Sequence, residues 1–221
     1  MHAGIGVFDS GIGGLTVFKA LRAALPPGER LLYLGDTARV PYGTKSAETV
    51  VRYALEGSRF LGRRGIKALV IACNTMSAVA LEELRKDTEI PVVGVIGPGA
   101  EAACRATGRK VIGVIGTAAT IKSGAYTRAI ARHLPQARVV DRACPLFVPL
   151  AEEGWVDNEV ARATASVVRA RLLERGLLAE GPAAAGEDHF FVTDSSDRFR
   201  EVGSRFLGGP LLRLEQVDIQ D

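Results

Sequence analysis

The chain has 221 residues, 47% of them hydrophobic and 24% charged, and carries a net charge of +3. That suits one large or two small globular domains. No apolar run is long enough to span a membrane, no basic cluster is interleaved with aromatics to argue for nucleic acid, and no CxxC or HxxxH spacing marks a metal site. The N-terminal MHAGIGVFDS has no basic stretch followed by a long apolar one, so no signal peptide is expected. Cys73, Cys104 and Cys144 make an odd count without close pairing, which points to a reduced, cytoplasmic compartment.

In chain order, residues 5–8 read as a strand, followed by a Gly-rich turn and a helix over about 15–25. Residues 31–34 form the next strand. The loop GDTARVPYGTKS leads to a long helix with Ser46 as its N-cap, because apolar residues recur there at helical spacing from Val50 to Leu61. Residues 67–72 predict a third strand, 76–87 a helix and 91–96 a fourth strand. Gly97-Pro98-Gly99 punctuates the chain. After it come a short Ala-rich helix, a strand at 110–115, a helix at 118–134 and a strand at 137–141. Asp157 is placed to cap a helix running to about 177, AEGPAAAGED (179–188) reads as a linker, and a strand at 189–192 precedes a helix at 195–207. The alternation predicts an α/β fold of two Rossmann-like βαβ units with mostly parallel sheets facing a shared cleft. The expected division is residues 1–96 plus about 187–221 for the first unit and 97–186 for a reduced second unit.

Four polar stretches fall where strands end: Asp9-Ser10-Gly11-Ile12-Gly13-Gly14, Asp36-Thr37 with Tyr42-Gly43 in its loop, Cys73-Asn74-Thr75, and Gly116-Thr117 with Thr120. Each alone is the ordinary material of turns and helix caps. Together they predict a small polar pocket with donors for a carboxylate, acceptors for an ammonium and one thiol. The Gly-rich turn before a helix predicts an anion cradle. A dinucleotide fingerprint is not met, because Gly11 and Gly13 are followed by Thr16, and there is no Walker A sequence. No cofactor is expected. Cys73 precedes a helix, so partial thiolate character is expected of it. Cys104, on an Ala-rich helix, reads as a small buried hydrophobe. Cys144 ends a strand before Pro145 and is the other cysteine able to face the cleft.

The stretches GVFDSGIGGLTV (6–17), YLGDTARVPYGTKS (33–46), ACNTMSA (72–78), VIGVIGTAAT (111–120), ACPLFVPLAEEGW (143–155) and HFFVTDSSDRF (189–199) together resemble the glutamate racemases of the aspartate/glutamate racemase family. The resemblance implies two α/β domains with glutamate between them, no cofactor, and a homodimer as a common assembly. It implies D-glutamate made for peptidoglycan. It implies a two-base mechanism, since inversion needs proton removal and delivery on opposite faces of the α-carbon. Carried over residue by residue, it makes Cys73 one base, Asp9 its helper, and Glu152 an acidic helper near the other face. Ser10, Tyr42, Gly43, Asn74, Thr75, Thr117 and Thr120 become substrate contacts.

The Gly-Cys-Thr-His-Tyr-Pro motif that carries the family's second base does not occur in this sequence. Its segment should fall between about Ala163 and Ser166. Two other functions therefore stand beside the racemase: a single-thiol enzyme doing one-sided proton chemistry such as decarboxylation or exchange, and a non-catalytic ligand-binding protein. For the fold, the second unit should keep only two clear strands. The helix 157–177 should cover the surface left by the missing strands, and residues 189–207 should return to the first unit.

Overall fold

The computed structural model describes residues 3–108, 110–145, 159–178, 188–194 and 196–219. Asp157, Glu152 and most of the 179–188 stretch lie outside them.

The first unit is a six-stranded parallel sheet in the order β4-β3-β1-β2-β7-β8. Its strands are β1 (Gly4–Asp9), β2 (Leu31–Gly35), β3 (Ile66–Ile71), β4 (Val92–Gly94), β7 (His189–Val192) and β8 (Leu214–Gln216). β1 and β2 are buried along their whole length. That is why they read as continuous apolar runs: helices cover both faces of a parallel sheet. On one face lie α1 (Leu15–Ala24), α8 (Glu159–Glu174) and α9 (Ser196–Leu207), around Phe18, Tyr33, Phe190 and Phe199. On the other lie α2 (Ala47–Gly62), α3 (Asn74–Val79) and α4 (Leu81–Asp87), around Phe8, Leu34, Phe60 and Met76. Ser46 caps α2 as expected, its Oγ accepting the Thr49 N–H at 3.3 Å. The final strand and helix do return to this unit, with β7 pairing to β2. β8 was not legible in the sequence: it is three residues long and only Leu214 of it is even half-buried.

The second unit, among the described residues, is a two-stranded parallel sheet of β5 (Val111–Gly116) and β6 (Arg138–Ala143). It packs against α5 (Ile96–Ala106) and α7 (Ala125–His133), with Ala100, Ile112, Val114 and Ile130 as its buried core. On the opposite face of this sheet, Val111, Val140 and Ile115 are 44%, 50% and 62% exposed, and none of the described helices covers them.

Four expectations are corrected. Gly97-Pro98-Gly99 does not break the chain but forms the first turn of α5. Proline is tolerated there because N–H groups in a first turn have no helical acceptor to lose. The helix expected at 118–134 is two, α6 (Ala118–Lys122) and α7, because Gly124 sits between them at φ +64°. The helix expected at 76–87 is likewise split, at Ala80. Finally, α8 does not cover the exposed face of β5–β6. Its Ala165, Val168 and Leu172 are buried in the core beside α1, a stripe at helical spacing that found the larger apolar surface. α8 runs without interruption through 163–166.

Candidate active site

In a parallel sheet the strands present their carboxyl ends to a common edge, and ligand crevices form there. Here the ends of β1 and β3, the loop after β2, and the ends of β5 and β6 converge on one cavity of about 400 Å³. Asp9, Ser10, Tyr42, Gly43, Cys73, Asn74, Thr75, Thr117 and Thr120, all expected at the site, line it. Glu152 lies outside the described residues.

Cys73 follows β3 and caps α3, its Sγ accepting the Met76 N–H at 3.5 Å. The Ser10 hydroxyl lies 3.4 Å from the same sulfur. The side chain is 6% exposed. Burial first, and then the charge of Asp9, push the thiol up to about 11, against the lowering by Ser10 and the Met76 amide. Burial therefore works against the expected thiolate character: the six-residue helix α3 cannot offset full desolvation beside a carboxylate.

Asp9 explains the Gly-rich turn. Its carboxylate accepts the N–H groups of Gly11 at 3.1 Å and Gly14 at 2.9 Å, and the Tyr33 hydroxyl at 3.4 Å. The cradle expected for an outside anion thus holds the chain's own. Burial raises the Asp9 pKa, opposed by those backbone bonds. A Cβ at position 14 would come within 2.6 Å of the Asp9 Cβ and 2.9 Å of the Ala72 Cβ, so only glycine lets the turn close on the carboxylate.

Tyr42 is buried and its hydroxyl donates to Asp36. Asp36 also accepts from Arg39 Nε at 2.6 Å and from the Thr193 hydroxyl at 2.9 Å. Asp36 thereby departs from expectation. It does not line the main cavity but sits beneath Tyr42, beside a separate hollow with Arg39 and Thr193. Its work is to hold the loop that carries Gly43 into the cavity.

The second unit closes the cavity with hydroxyls. Thr117 caps α6, and its Oγ1 lies 2.9 Å from Thr120 Oγ1 and 3.0 Å from Thr75 Oγ1. Two residues of this wall carry new weight. Tyr126 donates its hydroxyl to Asn74 Oδ1 at 2.7 Å, and burial pushes its pKa up to about 12. Nothing in the apolar periodicity of α7 distinguishes it. Cys144 lines the cavity just past β6, its N–H bonded to Gly116 O at 2.8 Å.

A family model described as Asp/Glu/Hydantoin racemase matches residues 13–181. A glutamate racemase of Geobacter metallireducens is 47% identical, covering 98% of this chain and 97% of that one. The chain belongs to the glutamate racemase family. Among solved structures, the glutamate racemase of Francisella tularensis in complex with D-glutamate superposes with a TM-score of 0.89 at 33% identity, covering 99% of this chain and 98% of that one. The Thermus thermophilus glutamate racemase in complex with beta-chloro-D-alanine gives 0.84 at 40% identity, covering 97% and 96%. The alignment of this racemase-family chain with the Geobacter relative extends over 262 positions against 221 residues here, which leaves at least 41 positions without a residue of this chain. Among the described residues, no helix is long and apolar enough to cross a membrane.

Proposed function

We propose that this chain interconverts L- and D-glutamate by removing and returning the α-proton in the 400 Å³ cavity, with Cys73 as the base on the first-unit wall. The observation that carries the reading is the placement of Cys73. A buried thiol, held by Ser10, sits between the turn that cages Asp9 and the polar pair Asn74-Thr75. In this reading Thr75, Thr117, Thr120 and the Gly43 main chain hold a substrate carboxylate. Ser10 and Asn74 flank its amino group. Asp9 makes that end of the cavity attractive to an ammonium. An ammonium arriving beside Asp9 and Cys73 also lowers the thiol's pKa, so the base is activated by the substrate it acts on. Preorganised hydroxyls stabilise charge developing at the carboxylate as the α-proton leaves. The free cysteines suit a reducing cytoplasm, and a homodimer is the assembly we expect. D-Glutamate made here would serve peptidoglycan synthesis.

A second reading, one-sided proton chemistry by a single thiol, is favoured by one observation. The second-base motif is missing from the sequence, and we place the missing positions at 163–166, where α8 is now continuous.

The test is α-proton exchange in deuterated water, with L- and D-glutamate separately, followed by proton NMR and chiral analysis, with Cys73→Ala as control. Racemisation predicts deuterated product of inverted configuration from both enantiomers, lost in the control. Exchange from one enantiomer without inversion would establish the one-sided reading. No exchange from either would leave a binding protein.

A further inference from the structure

Inversion at an α-carbon needs a proton donor facing the base across the substrate. The described lining of the cavity holds five titratable side chains: Asp9, Tyr42, Cys73, Tyr126 and Cys144. Asp9 lies on the same wall as Cys73, at the end of the neighbouring strand β1, and its carboxylate is enclosed by Gly11, Gly14 and Tyr33. Tyr42 donates its proton to Asp36 and Tyr126 donates its own to Asn74. Only Cys144 is both on the second-unit wall and free of a hydrogen bond at its side chain among the described residues. Its backbone is fixed all the same. The bond from its N–H to Gly116 O continues the β5–β6 ladder one residue past β6, next to Thr117, which we have assigned to the substrate carboxylate.

We propose that Cys144 is the proton donor opposite Cys73, in place of the base whose motif this chain lacks. The proposal rests on the racemase reading above. In one direction the Cys73 thiolate takes the α-proton, leaving its electron pair on the substrate, and the Cys144 S–H delivers a proton to the other face and becomes the thiolate. The reverse direction exchanges the two roles, and no oxidant or reductant enters.

The experiment compares wild type with Cys144→Ala, Cys144→Ser, Tyr126→Phe and Cys104→Ala. Inversion rates and α-deuterium incorporation are measured separately for each glutamate enantiomer. Cys104 is the control thiol: it faces Ile130 O between α5 and α7, away from the cavity. The expected result is inversion by wild type and Cys104→Ala, and a loss of inversion of roughly 10²–10⁴-fold in both Cys144 variants. Those variants should keep deuterium exchange from the one enantiomer whose α-proton faces Cys73. Cys144→Ser, nearly isosteric, decides the matter where the alanine variant does not fold. Unchanged inversion in the Cys144 variants overturns the proposal and leaves the racemase reading intact. So does loss of inversion in Tyr126→Phe alone. Wild type that exchanges without inverting overturns it too, because no opposed donor then exists. Wild type that exchanges neither enantiomer removes the racemase reading itself, and the proposal with it.

Discussion

Thr75 Oγ1 lies 3.0 Å from Thr117 Oγ1, so the hydroxyl that follows the first unit's β3 meets the hydroxyl that caps α6 of the second. The two walls of the cavity are joined through groups we assign to the substrate. Thr117→Val keeps the shape and removes the bond and the cap. A lost N-cap costs about 1 kcal/mol, which lowers the melting temperature by about 2–4 °C in a chain of this size. The KM for glutamate should rise about tenfold or more, since one good hydrogen bond to a charged group is worth that much. A variant with wild-type melting and wild-type KM would contradict both roles.

Gly43 admits no side chain. A Cβ there would stand 2.5 Å from the Thr117 Cβ and 2.6 Å from its Cγ2. Neither neighbour is the free end of a long side chain, so Gly43→Ala must push the loop and the second-unit wall apart. Titration calorimetry with D-glutamate should show binding weakened by about tenfold or more, roughly 1.4 kcal/mol. Binding within twofold of wild type would mean the walls are not held as described.

Burial raises the Cys73 thiol from 9.0 to about 11. The unfolded chain gives up that proton first. Between these two pKa values it binds fewer protons than the folded chain, and stability falls as pH rises. The contribution is complete below the unfolded value and gone above the folded one, an amount of about 3 kcal/mol. Denaturant melts of wild type and Cys73→Ser, compared from roughly pH 8.5 to roughly pH 11.5, should diverge by that order, with wild type losing more. The raised pKa of Tyr33 belongs to both proteins and cancels to first order. Parallel curves would show that the thiol is not buried as placed.

Asp36 is fully buried and receives three donors, from Tyr42, Arg39 and Thr193. Asn at this position offers one acceptor oxygen and turns an amide N–H₂ toward the remaining donors. Breaking a buried charge pair from one side costs about 3 kcal/mol or more. Asp36→Asn should therefore melt about 6–12 °C lower and bind glutamate more weakly, because the Tyr42-Gly43 loop loses its anchor. A melting temperature within about 2 °C of wild type, a shift below 1 kcal/mol, would refute this.

Much of the molecule was legible in local pattern. The first five residues of β1, GIGVF, are apolar without alternation because both faces are covered, and Ser46 stands where a cap belongs. The short element β8 and the splits at Ala80 and Gly124 were not legible, because such boundaries depend on single backbone angles and packing rather than on periodicity. Tyr126 was missed for a related reason: its partner Asn74 is 52 residues away in the chain.

That polar stretches end the strands, that Cys73 stands at one of those ends before a helix, and that one family-specific thiol motif is missing can all be read directly from the residues in order. These are properties of neighbours along the chain. Three-dimensional packing adds that the Gly-rich turn cages Asp9, that Asp36 anchors Tyr42 from beneath, that α8 packs on α1, and that Cys144 shares a cavity with Cys73. It also decided that the Cys73 thiol is held neutral. Proton affinity depends on burial and on charges supplied by residues distant in sequence, and no reading of neighbours along the chain contains those distances.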